Sequence, residues 1–159
     1  MIIIGYQGIG KSTLASSRTG YIDLESSCFF FEKEGMIIRD PDWYKMYCNV
    51  AMDLSKQGFN VFTSSHKQVR DYLMKNSKYQ IVMAVVPSID LKDQWIKKLE
   101  KRYRQSEFTK DYKAWKNAED RYEENIKEIM DDIPNTCIIE DMRYHLGTVI
   151  SNYIDSNFK

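Results

Sequence analysis

Apolar residues recur along the chain in two rhythms that alternate. Short runs rich in β-branched residues at Met1 to Ile4, Tyr21 to Glu25, Phe59 to Ser64, Ile81 to Val86 and Asn135 to Glu140 have the length and the bounding turn residues of strands. Between them apolar positions return every three or four residues. Trp43, Tyr44, Tyr47, Val50, Ala51 and Leu54 form one such stripe, opened by Asp40-Pro41-Asp42 and stopped at Gly58; Leu91, Trp95 and Leu99 form another behind Asp90, and Val149, Ile150 and Tyr153 a third. Five strands alternating with helices predict an α/β chain: a three-layer α/β/α arrangement around a five-stranded, mostly parallel sheet. Ile81 to Val86 suits a central strand buried on both faces, ended by Pro87-Ser88. Ser26 to Asp40 carries three consecutive phenylalanines, a Glu-Lys-Glu-Gly turn and the run Met36 to Ile38, and predicts irregular chain with short pairing. Trp43 and Tyr47, four apart, read as a core-facing stripe, with a stacking surface for a base as the alternative.

The 159 residues suffice for one domain over 1–159 with its own core. Lys plus Arg equal Asp plus Glu at 23 each, so no global charge draws the chain to nucleic acid or to a membrane surface. No apolar run has the length of a membrane span, and Met1 to Ile4 lacks the regions of a signal peptide, which together predict a cytoplasmic protein. Cys28, Cys48 and Cys137 are spaced for neither a disulfide framework nor a zinc site, and read as buried thiols. Local charge is less even. From Lys97 to Lys116 the balance is basic, from Glu119 to Asp132 acidic, with Phe108, Tyr112, Trp115 and Tyr122 threaded between; two helices joined near Gln105 to Thr109 are expected, forming a lid-like arm at about 100–130.

One stretch carries specific chemistry. Gly5-Tyr6-Gln7-Gly8-Ile9-Gly10-Lys11-Ser12 satisfies the phosphate-binding pattern G-x-x-x-x-G-K-S/T directly after a strand and before the helix-like Ser12-Thr13-Leu14-Ala15. A polyphosphate needs backbone N–H groups aimed inward with no side chain in the way, which glycines permit. Gly8, Ile9, Gly10, Lys11, Ser12 and Thr13 are therefore the candidate nucleotide-binding residues. Lys11 would set its ammonium on the β- and γ-phosphates, Ser12 would give its hydroxyl to Mg²⁺, and the helix opening near Lys11 would add its positive end.

Other candidates lie at the strand ends, where open α/β sheets bind ligands. Asp23 and Glu25 alternate with apolar residues and would share one side of the second strand. The third strand ends in Thr63-Ser64-Ser65-His66, without the Asp that often holds the shell of Mg²⁺ at such a position, so Asp23 is the candidate to replace it. His66 and Arg70, one helical turn apart, are candidates to meet a substrate phosphate.

These features resemble the small P-loop kinases of nucleotides and other metabolites, above all the nucleoside-monophosphate-kinase-like proteins of bacteriophages and prophages. The resemblance rests on the loop from Gly5 to Leu14, on Tyr21-Ile22-Asp23-Leu24-Glu25, on Ser64-Ser65-His66, and on Trp95-Ile96 through Arg102-Tyr103-Arg104; only the loop is specific. It implies a P-loop NTPase fold, ATP and Mg²⁺ as cofactors, and a lid whose arginines clamp the transferring group, roles that would fall to Arg102 and Arg104 beside Lys11 and Asp23. The Gly-Tyr-Pro-Arg stretch of adenylate kinases is missing, so a nucleoside or deoxynucleoside monophosphate is the expected acceptor without an adenylate kinase being implied. Two alternatives stand beside this: a gluconate- or shikimate-type kinase with Asp23 as base for an alcohol, and a nucleotide-binding switch or nucleic-acid-associated ATPase with the basic helix as its partner surface.

Overall fold

Ile2, Ile3 and Ile4 have no solvent exposure, and this strand, β1 (Ile2–Gly5), is parallel to β5 (Asn60–Thr63), with Ile2 opposite Val61 and Ile4 opposite Thr63. In the computed structural model, which describes residues 1–29, 31–33 and 36–158, five strands form one sheet in the order β2-β5-β1-β6-β7. Here β2 is Tyr21–Asp23, β6 is Val82–Pro87 and β7 is Thr136–Ile139. The α/β class and the five-stranded parallel sheet are those expected. By its internal contacts the chain divides into two compact units, Met1–Gly5 with Lys11–Met83, and Tyr6–Gly10 with Ala84–Lys159.

In the first unit, α1 (Lys11–Ser17) leads to β2, which pairs with β5 so that Asp23 stands opposite Phe62. β2 stops at Asp23, so Glu25 lies beyond the strand and the expected alternation does not extend to it. A 3-10 turn, Ser26–Phe29, precedes the antiparallel pair β3 (Phe31–Lys33) and β4 (Met36–Ile38), the short pairing anticipated there; its Glu34-Gly35 turn and Phe30 fall outside the described residues. Cys28 is exposed, unlike Cys48 and Cys137, because it rides on this turn rather than in a helix or strand.

The helix α2 (Trp43–Lys56) opens on an Asp40 carboxylate that accepts from the N–H of Asp42 at 2.7 Å, and is followed by Gly58 at φ 95. Its buried face is Trp43, Tyr47, Cys48, Ala51, Met52 and Ser55. That face is turned from the expected one toward Cys48 and Met52, leaving Val50 and Leu54 half-buried. Each large apolar side chain so enclosed contributes roughly 1.5–3 kcal/mol relative to exposure. Behind β5, α3 (Lys67–Asn76) buries Val69, Arg70 and Leu73.

Every residue of β6 is buried, and in the second unit, which takes β6 from Ala84 on, its parallel partner β7 sets Cys137 opposite Val85. Pro87 belongs to β6 rather than ending it, and the turn that follows, Ile89–Leu91, is capped by the Ser88 hydroxyl, so α4 starts at Lys92 and not at Asp90. α4 (Lys92–Ser106) and α5 (Thr109–Asp132) meet at Glu107, whose left-handed φ of 56 makes the turn within the predicted junction. α5 lays Ala114, Ala118, Tyr122, Ile126 and Ile129 along one stripe, the helical period made visible, and breaks helical geometry at Arg121. The last helix, α6 (Leu146–Asn157), buries Leu146, Gly147 and Ile150. Among the described residues no helix is long and apolar enough to cross a membrane.

Candidate active site

The loop between Gly5 and Ser12 joins β1 to α1, the strand–loop–helix setting that the motif requires. Lys11 folds back, its ammonium donating to the carbonyl of Gly5 at 3.1 Å. Ser12, exposed in the first turn of α1, donates its hydroxyl to Oδ2 of Asp23 at 2.5 Å. Short charge-assisted bonds of this kind are the strong ones. They hold a hydroxyl and a carboxylate side by side at the end of β2. Thr13 lies exposed one residue further on. α1 has only seven residues, so an anion at this loop would rest on the loop's own N–H groups more than on a helix dipole.

Two glycines are required by geometry. Gly8 and Gly10 stand at φ 83 and 97, the left-handed region that costs a side-chain-bearing residue strain. Gly10 faces open space, with nothing within 4 Å of where a Cβ would stand. At Gly8 the same Cβ would lie 2.8 Å from Leu99 Cδ2 and 3.4 Å from the Trp95 indole nitrogen. The missing side chain at Gly8 is therefore also a packing requirement of α4.

Around that contact the loop's carbonyls are held. The indole N–H of Trp95 donates to Gln7 O at 3.0 Å, and the Tyr144 hydroxyl donates to Ile9 O at 2.8 Å. The Gln7 amide in turn donates to Ala114 O in α5 at 2.8 Å. Lys98 sits over the near-parallel rings of Trp95 and Tyr144 and donates to the Tyr144 hydroxyl at 2.9 Å.

At the strand ends of the first unit, Tyr47 ties two elements together: its hydroxyl donates to Leu24 O at 2.7 Å and accepts from the N–H of Ser64 at 2.9 Å. Burial pushes its phenol well above the usual tyrosine range. Beside it two guanidinium groups flank His66. Arg70, 3% exposed, donates to Ser65 O; His66 bonds the Ser64 hydroxyl at 3.0 Å and stands edge-on to Trp43; and the Arg39 guanidinium lies 3.6 Å above the Trp43 ring. The His66 pKa is lowered, first by desolvation and then by the charges of Arg39 and Arg70. His66 and Arg70 are thus neighbours, as their spacing predicted, and Trp43 is core by exposure while presenting an edge to His66.

The two arginines expected in a lid, Arg102 and Arg104, are engaged with side chains of their own arm. Arg102 pairs with Oδ1 of Asp111 at 2.6 Å, and Ser106 donates to the other oxygen of that buried carboxylate at 2.5 Å, so Asp111 staples the α4–α5 turn. Arg104, largely exposed, forks onto Glu100 one turn back.

Sequence reasoning did not single out Gln7, Arg39, Lys98 or Tyr144, nor the indole N–H of Trp95. Gln7 and Trp95 were within quoted motifs, yet a carbonyl partner 88 residues away leaves no periodic trace. Among the described residues no three His, Cys, Asp or Glu side chains gather as a protein-only metal cage. The pair Ser12 and Asp23 suits Mg²⁺ all the same, since that ion keeps several waters and takes one or two oxygen side chains beside substrate phosphates.

No protein-family model matches the chain, and no curated protein sequence does. Among solved structures, the tunicamycin resistance protein of Deinococcus radiodurans aligns over 98% of this chain and 94% of its own length, with a TM-score of 0.55 at 12% identity. At that identity the likeness bears on fold alone, an α/β fold around a five-stranded sheet.

Proposed function

We propose that the protein is an ATP- and Mg²⁺-dependent phosphotransferase of the P-loop kinase type, acting on a nucleoside or deoxynucleoside monophosphate. The observation that carries this reading is the bond from the Ser12 hydroxyl to Asp23, next to an intact phosphate loop. The strand-end Asp absent from Thr63-Ser64-Ser65 has a substitute in Asp23, at the end of the neighbouring strand of the same sheet. Mg²⁺ bound there would neutralise charge on the phosphate oxygens.

The remaining work falls to the chain's own groups. The N–H groups of Gly8 to Ser12 take the polyphosphate, and Lys11, released from Gly5 O, places its ammonium on the outer phosphates. Little covalent chemistry is asked of the protein in phosphoryl transfer; positioning and charge stabilisation suffice. The guanidinium groups of Arg39 and Arg70, which flank a His66 kept neutral by burial and by those charges, suit an acceptor dianion, and a neutral polyol would not need them. Asp23, already engaged by Ser12, is poorly disposed as a base for an alcohol. Arg104, or Arg102 released from Asp111, would stabilise the charge developing on the transferring group.

A panel of ribo- and deoxyribonucleoside monophosphates with ATP and Mg²⁺, following ADP release, tests this. At least one acceptor should give ADP above background, with that acceptor's KM raised in Arg70→Ala. ADP release without any acceptor would instead support a nucleotide-hydrolysing switch, and transfer to a polyol alone would reject the monophosphate.

A further inference from the structure

We infer that Trp95, Tyr144 and Lys98 are positioning residues for the nucleotide loop, aiming the N–H groups of Gly8 and Gly10 at bound polyphosphate by holding the carbonyls of Gln7 and Ile9 the other way. The inference rests on the reading of the loop as a nucleotide site. Its physical basis is the rigidity of the peptide unit: each is planar and, in the described residues, none is cis, so the C=O of one residue and the N–H of the next point in opposite directions. Trp95 bonded to Gln7 O therefore sets the direction of the Gly8 N–H. Tyr144 bonded to Ile9 O sets that of Gly10. Both glycines have left-handed φ, so their own dihedrals restrain them least, and an external hold has the most to fix there.

Lys98 gives the hold its sense. A tyrosine hydroxyl has one proton and can offer it to any acceptor in reach, but an ammonium is a donor only. Because Lys98 donates to the Tyr144 oxygen at 2.9 Å, that oxygen is committed as acceptor toward Lys98, and its own proton is left for Ile9 O at 2.8 Å. The Lys98 ammonium is kept in place over two aromatic faces, 4.3 Å from the Trp95 centroid and 4.9 Å from that of Tyr144. Its pKa is lowered, by burial first and by Arg102 second, so the charge is held there at some cost. The three side chains come from α4 and from the segment after β7, and two of them, Trp95 and Tyr144, bond carbonyls within the three residues Gln7 to Ile9.

The test uses calorimetric titration of the full chain with two probes, ATP and inorganic tripolyphosphate, each with Mg²⁺, alongside ligand-free thermal unfolding of every variant. Tyr144→Phe keeps its ring and removes the hydroxyl that donates to Ile9 O and accepts from Lys98, Trp95→Phe keeps an aromatic ring and removes the N–H that bonds Gln7 O, and each should raise Kd about 3- to 10-fold for both probes alike. Lys98→Met should match Tyr144→Phe, and the Lys98→Met/Tyr144→Phe double variant should bind no more weakly than Tyr144→Phe alone. Loss of affinity for ATP but not for tripolyphosphate would make these residues contacts of the base or sugar and overturn the inference. So would a full further loss from Lys98→Met in the Tyr144→Phe background, which marks simple charge attraction, or parent-like affinity in all variants. Failure of the parent chain to bind either probe would overturn the nucleotide reading together with this one, an outcome separable from variants that bind as the parent does.

Discussion

Ser12 and Asp23 are joined by a 2.5 Å bond between the first turn of α1 and the last residue of β2. Removing either partner should act on metal handling before it acts on nucleotide binding. Ser12→Ala and Asp23→Asn are expected to lower turnover roughly 10- to 100-fold at limiting Mg²⁺, the usual size for loss of a ligand's oriented partner, with smaller effects on metal-free ATP affinity. Mg²⁺ titration of activity decides it, and an unchanged Mg²⁺ dependence in both variants would remove the pair from the metal site.

The two left-handed glycines of the loop should respond differently to the same substitution. Gly10→Ala meets open space and carries only the φ penalty, about 1–2 kcal/mol. Gly8→Ala carries that penalty and also drives a methyl to 2.8 Å from Leu99 Cδ2, which overpacks α4 and adds about 1–3 kcal/mol. Denaturant unfolding measures the difference. Equal destabilisation would show that Leu99 yields freely and that Gly8 is needed for φ alone.

How far these features could be read without coordinates depends on their range along the chain. The loop, the strands and the helical stripes are local patterns, and each element stands within a few residues of its expected place. Boundaries moved where a distant partner decides them: β2 ends at Asp23 because β5 pairs with it only that far, and the packing of Gly8 against α4 is invisible because Leu99 lies far along the chain. Asp23 was legible as a metal candidate through an absence, the missing strand-end carboxylate after Phe62. Tyr144 was not legible at all. A lone tyrosine between Arg143 and His145 has no period, and only the fold brings its hydroxyl to Ile9.

Arg102 and Arg104 should separate stability from catalysis. Arg104 is 71% exposed and paired with Glu100, so Arg104→Ala should change stability by less than about 0.5 kcal/mol while lowering turnover in the lid reading. Arg102→Ala strips a charged partner from buried Asp111 and should cost about 1–3 kcal/mol, with Asp111→Ala costing at least as much because the Ser106 bond goes too. Chemical unfolding and steady-state rates, taken together on each variant, check both. Parent rates in both arginine variants would leave the α4–α5 arm a structural element and end its part in transfer.

The pH dependence of stability should carry the mark of His66. Its pKa in the folded chain is lowered from the ordinary 6.5, by desolvation first and then by the guanidinium groups of Arg39 and Arg70 that face it. Below about pH 6.5 the unfolded chain therefore binds a proton that the folded chain still refuses, and stability falls as pH drops until the folded pKa is passed, after which the loss is complete. Asp141 works in a lower window. Arg143 holds its carboxyl at about 2 against an ordinary 3.8, so its contribution is present above 3.8 and is lost only as pH falls below that. Urea midpoints between pH 7.5 and 4.5 should thus decline in the parent and decline less in His66→Gln, while the two proteins converge in slope below pH 4. A monophosphate bound beside Arg39 and Arg70 would cancel part of the charge that opposes His66 protonation, so saturating acceptor should flatten the parent's decline toward that of His66→Gln. Parallel declines of parent and His66→Gln would show that another group governs this range, and a decline untouched by acceptor would separate His66 from the acceptor phosphate.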